Sequence, residues 1–291
     1  MYGVAAGIAI AGCGDSTTPS PPLVVPSFVV VGDTAGSAQL YRVDGGVVSR
    51  LSTTAGNDVD PRSAAGRIVF STDRDANYEV YIEDINATVS RRVTNSVAQD
   101  DHPALSPNGS TIVFVSNRSG TPRLWTIPAP ALDATVFDAP TALATGSDSA
   151  VPEGAPVFNP DGTSLAFNST RGGTSQIYTM AAAGGTAVQV TNEVGGAFDP
   201  AWSADGQTIV FTSATGMLHL RKVKLSTSVS SDFATDSLDL AGAACNADVC
   251  VAAEDPSGTR GSILAFPAKG GVGEVVIART RNEREPAILA P

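Results

Sequence analysis

Positive charge, histidine and cysteine are all scarce in this chain. Its 18 lysines and arginines face 29 aspartates and glutamates, for a formal net charge of −11 over 291 residues. That balance disfavours non-specific binding to nucleic acid or to an anionic membrane surface. The densest basic runs, Arg91-Arg92 and Arg221 to Lys224, read as decoration of solvated strands. Two histidines and three cysteines do not make a zinc ligand set. No apolar run approaches the roughly 20 residues a membrane-spanning helix needs, and no stretch carries an amphipathic helical period. There is no Gly-x-Ser-x-Gly nucleophile elbow, and no glycine-rich phosphate loop opens a helix. Gly172-Gly173 and Gly184-Gly185 fall between strands and read as turns. His102 precedes a first strand and His219 lies in a third, so no shared position pairs the two imidazoles as acid and base. These absences turn the functional question from catalysis towards binding.

What is present is a repeated phrase. Residues 101–127 read DHPALSPNGSTIVFVSNRSGTPRLWTI, residues 153–180 read EGAPVFNPDGTSLAFNSTRGGTSQIYTM, and residues 198–213 read FDPAWSADGQTIVFTS. Each copy is a short strand, an Asx-Gly turn that supplies a residue tolerant of positive φ, a β-branched and aromatic strand, and a third strand with Tyr or Trp. The turn glycines Gly66, Gly109, Gly162 and Gly206 are spaced 43, 53 and 44 residues apart; an insert at residues 128–140, rich in Pro and Ala, accounts for the long interval. Four antiparallel strands per period of this length predict propeller blades.

The two ends complete each other. Residues 28–54 hold the second, third and fourth strands of a blade but lack the opening Asp-x-Pro strand, whereas residues 284–291 resemble that strand alone. The expectation is an all-β, six-bladed propeller over residues 28–291. Its C-terminal strand joins the N-terminal blade and closes the ring, removing two exposed sheet edges. The remaining blades fall at 58–95, 101–146, 153–192, 198–235 and 239–281.

The pattern Asp-x-Pro-x-x-Ser-Pro-Asp-Gly, Ile-x-Phe-x-Ser-x-Arg-x-Gly, Ile-Tyr resembles TolB-like β-propeller repeats, which also occur in tricorn-type and dipeptidyl-peptidase-type proteases. It is carried by residues 102–125, 155–178 and 199–213, with weaker copies at 60–81 and 38–41. The resemblance covers nearly all of residues 28–291. It is specific for the fold rather than the function, because the motif residues make turns and packing. TolB itself carries a small α/β domain before its propeller, and residues 13–27 are too few to form one; the resemblance therefore implies a stand-alone propeller.

Ile10-Ala11-Gly12-Cys13, after a small apolar run, resembles the lipobox of bacterial lipoproteins, although no Lys or Arg precedes it. The resemblance implies a signal peptide at residues 1–12, lipidation at Cys13, and a Pro/Ser-rich tether at 13–27. A plain cleaved signal peptide is the alternative. The implied location is the bacterial cell envelope, lipid-anchored, at the outer membrane facing the periplasm. The lipid would be the only membrane contact. In an exported chain disulfides persist, so Cys245 and Cys250, five residues apart around a turn, are either a hairpin staple or two small buried side chains.

One constellation recurs outside the scaffold. Asp58, Asp60, Asp100, Asp101, Glu153, Asp199, Glu283 and Glu285 gather just before the first strands. First strands surround a propeller axis, so these carboxylates are expected at one mouth of the channel, as ligands for Ca²⁺ or for a cationic peptide. The alternative is that each caps its local turn or pairs with an arginine such as Arg62 or Arg284. Arg118 and Arg171, in the recurring Asn-Arg and Thr-Arg pairs, read as blade-to-blade hydrogen-bonding residues. The expected function is that of a monomeric, non-enzymatic envelope lipoprotein whose propeller binds a protein or peptide partner, with no cofactor unless Ca²⁺. The alternative is a propeller hydrolase or lyase, or its inactive relative, with a metal- or carboxylate-containing site in the axial channel.

Overall fold

A computed structural model describes residues 23–34, 36–52, 55–86, 89–135, 138–146, 150–234, 240–254, 262–271, 273–277 and 283–288. The expected signal peptide, Cys13 and most of the tether lie outside the described residues. Every described element is a strand.

The strands form six four-stranded antiparallel sheets. The first blade holds β1 (Phe28–Thr34), β2 (Ser37–Asp44) and β3 (Val47–Arg50). The second holds β4 (Asp58–Ala64), β5 (Arg67–Thr72), β6 (Glu79–Asp84) and β7 (Ser90–Arg92). The third holds β8 (Asp100–Leu105), β9 (Thr111–Ser116), β10 (Arg123–Pro128) and β11 (Thr141–Ala142). The fourth holds β12 (Glu153–Phe158), β13 (Ser164–Ser169), β14 (Gln176–Ala181) and β15 (Val188–Gln189). The fifth holds β16 (Ala197–Trp202), β17 (Thr208–Ser213), β18 (His219–Lys224) and β19 (Val229–Asp232). The sixth holds β20 (Leu240–Cys245), β21 (Val249–Glu254), β22 (Ile263–Pro267) and β23 (Glu274–Ile277). The last strand, β24 (Glu283–Ile288), pairs antiparallel with β1, placing Ile288 opposite Phe28 and Glu283 opposite Gly32. The first blade is thus built from both ends of the described chain.

The ring closes through its innermost strands. β24 neighbours β4, and the contacts run on through β8, β12, β16 and β20 back to β24. Because strand side chains alternate between faces, each blade presents one apolar face to the blade before it and one to the blade after. The core is accordingly six separate layers, one per blade interface. Phe70, Phe114, Phe167 and Phe211 stand at the same position of successive second strands and are fully buried.

The Asx-Gly turns also serve the interfaces. Gly109 has φ +70°, and a Cβ added there would lie 2.8 Å from the Ala65 Cβ. Its carbonyl accepts a hydrogen bond from the Arg67 guanidinium of the preceding blade. Turn conformation and close approach both require glycine at that point. In the sixth blade the equivalent turn is closed differently. Cys245 and Cys250 are directly opposed across β20 and β21, with Cα atoms 4.0 Å apart, and form a disulfide.

Candidate functional site

Every described first strand carries the same irregularity. The register with the second strand shifts between Val59 and Arg62, Asp101 and Ala104, Gly154 and Val157, Phe198 and Ala201, and Ala241 and Ala244. The third residue of each strand takes a left-handed conformation: Asp60 (φ 52°), His102 (47°), Ala155 (44°), Asp199 (49°) and Gly242 (64°). Positive φ is uncommon outside glycine, and Asp and His are among the residues that tolerate it best. The bulge re-aims one side chain per blade. His102 therefore lies inside a first strand, at its bulge, rather than before it.

The bulge sorts the acidic residues into two sets. Asp58, Asp100 and Glu153, at the first position, are buried. Each is paired with the arginine that follows its own second strand: Arg74 at 2.9 Å, Arg118 at 2.6 Å and Arg171 at 2.7 Å. Each guanidinium also lies over the two aromatic rings paired across its sheet. Arg74 is 4.6 Å from the Tyr81 centroid, Arg118 is 4.9 Å from Trp125, and Arg171 is 4.7 Å from Tyr178. Arg118 thus ties a blade to itself. Arg171 does this and also donates to the Thr145 carbonyl of the preceding blade, 2.9 Å away. Glu153 accepts a further ion pair from Arg123 of that blade at 3.0 Å. Burial pushes the Asp100 carboxyl up, and the Ser116 and Arg118 hydrogen bonds oppose it.

The second set converges on the axis. The His102 Nδ1 lies 3.0 Å from Asp101 Oδ1 and 3.6 Å from Asp60 Oδ2, and its backbone N–H donates to the same Asp60 oxygen at 3.4 Å. Asp199, from the fifth blade, acts electrostatically on His102, and Asp60 and Arg62 act on Asp199. Burial lowers the His102 pKa, but Asp60, Asp101 and Asp199 outweigh it and raise it to about 9. Burial raises the Asp199 carboxyl, and Arg62 and His102 oppose that rise. The His102 side chain is 43% accessible, and that of Asp60 15%. Glu283 and Glu285 lie on the backbone of β24, and their side chains are outside the described residues. Among the described residues no group of three or more His, Cys, Asp and Glu side chains is arranged to hold a metal ion.

The TolB beta propeller domain profile matches residues 141–288. The chain belongs to the TolB β-propeller family. TolB from Acinetobacter baumannii superposes with a TM-score of 0.74 at 18% identity, over 90% of this chain and 66% of that one; the chain thus spans just under two thirds of that protein. A structure assigned to TolB from Agrobacterium tumefaciens gives 0.70 at 14% identity, over 89% of this chain and 91% of that one. A puromycin-hydrolyzing peptidase from Mycobacterium tuberculosis gives 0.57 at 15% identity, over 84% of this chain but only 42% of the peptidase. At these identities the likeness is one of fold.

Sequence reading alone did not separate the two acidic sets of this TolB-family propeller, and it treated His102 only as an isolated imidazole. The usable signal is positional: His102 occupies the same place before proline as Asp60, Ala155 and Asp199. Its effect on stability follows from the sign of its shift. A pKa raised above the unfolded value contributes stability that is full below pH about 6.5 and is lost as pH rises through about 9. Discounted for solvent in the channel, the contribution is on the order of 1 kcal/mol. Urea melts at pH 6 and pH 9.5 should show this increment lost in the native protein but not in His102→Gln.

Proposed function

We propose that the protein is a non-enzymatic envelope lipoprotein, anchored through Cys13 at the outer membrane, whose propeller binds a protein or peptide partner at the axial channel. The observation that carries this reading is the convergence of Asp60, Asp101 and Asp199 from three blades on one solvent-accessible point. Those carboxylates, on a chain of net charge −11, favour a partner segment presenting Lys or Arg. A general base must be able to accept a proton, whereas His102, raised to about 9, already holds one at neutral pH. This removes His102 as a general base at neutral pH, so the hydrolase or lyase alternative would have to work through the carboxylates.

Affinity capture from a native bacterial envelope, with the lipidated protein as bait and Asp60→Asn/Asp199→Asn as control, tests the reading. A partner retained by the native bait and released by the variant or by 0.5 M salt is expected. A partner set identical in both baits would overturn the channel assignment. An unacylated Cys13 in the intact-mass spectrum would overturn the anchor.

A further inference from the structure

The chain has only three lysines, Lys222, Lys224 and Lys269, and all three line one cleft of about 710 Å³ between the fifth and sixth blades. Two coupled substitutions in the repeat open it. On the side facing the next blade, third strands continue from Val80, Leu124 and Ile177 to Ile82, Thr126 and Thr179, and then to Asp84, Pro128 and Ala181. The fifth blade continues from Leu220 to Lys222 and Lys224 on the same face of β18. Opposite them, the third, fourth and fifth blades close the interface with a large apolar pair at the end of the first hairpin: Leu105 with Ile112, Phe158 with Leu165, or Trp202 with Ile209; the second blade has Ser63 with Ile68. The sixth blade places the Cys245–Cys250 disulfide there, flanked by Ala247 and Ala268. Less apolar volume faces charged side chains, so the two blades do not seal at this end.

Lys222 is held in place, Lys224 and Lys269 are exposed, and Asp205 acts electrostatically with Lys224. None of the three lysines has a carboxylate within 4.0 Å among the described residues. Lys222 donates from Nζ to the Lys269 carbonyl at 2.7 Å and lies 5.8 Å from the Phe233 ring centroid. The one acidic lining residue, Asp205, already accepts from the Ser203 hydroxyl at 2.6 Å and the Gln207 backbone N–H at 2.9 Å. The result is a cationic rim over an apolar floor, on a chain that is otherwise acidic, with a volume inside the roughly 300–1,000 Å³ range of small-molecule sites.

We propose that this cleft is a binding site for a small dianion with an apolar body: a phosphate monoester, whether a free metabolite or a lipid headgroup, seated with its charge on the lysines and its body on the disulfide. The site is independent of the axial channel, so it stands or falls apart from the function proposed above.

Isothermal titration with phenyl phosphate is the test, with inorganic phosphate and benzyl alcohol as half-ligands. Saturable binding of phenyl phosphate is expected, at least about tenfold tighter than either half-ligand, as its charged and apolar contacts act together. Lys222→Thr/Lys224→Ala installs residues that the fourth blade carries at the same positions, so it should fold, as an unchanged circular-dichroism melt would verify. It should weaken binding by about tenfold or more. Co-sedimentation with phosphatidic acid vesicles separates the two sources: lysine-dependent pelleting assigns the site to a lipid headgroup, and retained phenyl phosphate binding without pelleting assigns it to a free metabolite. Absence of saturable phenyl phosphate binding, equal affinity for inorganic phosphate, or undiminished binding in the folded lysine variant would overturn the proposal.

Discussion

A chain ended after Asn282 is expected to yield no folded monomer. Removing β24 strips the innermost strand from the first blade, leaving the hydrogen-bonding edge of β1 open along the register it shares with residues 283–288. It also uncovers Phe28, Val29 and Val31, which are buried in the intact ring. The inner-strand contacts from β24 to β4 and to β20 go with it, so two blade interfaces lose their axial end. A native margin of roughly 5–15 kcal/mol does not survive the loss of a core strand. The exposed, largely apolar β1 edge is a template for pairing with other chains. Size-exclusion chromatography should show aggregate, and far-ultraviolet circular dichroism should show no cooperative melt. Adding residues 283–291 in trans as a peptide should restore part of the melt. A truncated chain that melts cooperatively as a monomer would contradict the closure.

Replacing Arg118 with Thr should cost about 3–5 kcal/mol, the range for breaking a buried pair from one side. The variant leaves Asp100 buried and without the guanidinium that pairs with it at 2.6 Å, and it removes the cation from above Phe114 and Trp125. Burial already pushes the Asp100 carboxyl up. Without Arg118 that rise should grow, so the variant should lose further stability as pH climbs above the ordinary carboxylate range and ionisation is forced. The double variant Asp100→Ala/Arg118→Thr should recover much of the loss, because it removes the stranded charge as well. The fifth blade already carries this pair of residues, with Ala197 and Thr215 at the equivalent places. It has instead moved its arginine to the third strand, where Arg221 faces Phe211 and pairs with the buried Glu193. A double-mutant cycle from denaturant melts gives the coupling directly. A double variant as unstable as Arg118→Thr would show that the arginine acts through its stacking rather than through Asp100.

Much of the ring was legible in the sequence because strands and tight turns are local. Asp-Gly and Asn-Gly pairs specify hairpins through backbone conformation, and the run Ile112-Val-Phe-Val115 specifies a strand through its period. The six-fold count follows from the same spacing, whereas the outer strand of the fifth blade, β19 (Val229–Asp232), was not legible because the repeat fades after Lys224. The disulfide was legible only as an alternative, since the two cysteines fit both a staple and buried thiols; the register that opposes Cys245 to Cys250 decided it. The acidic residues form one cluster in the sequence because all of them sit where a first strand begins, and first strands surround the axis. The bulge divides that cluster, and nothing in one copy of the Asp-x-Pro motif reveals it.

The sequence by itself therefore determined the repeat, most of the strands, the number of blades and the completion of the first blade by the last strand. All of these depend on periodicity and on turns of a few residues. Only the tertiary structure decided that Asp58, Asp100 and Glu153 are interior partners of arginine, that Asp60, His102 and Asp199 meet from three blades, and that all three lysines line one cleft. Those outcomes depend on which residues from distant repeats the closed ring brings together. Burial and charge act through that distance in space, to which separation along the chain is no guide.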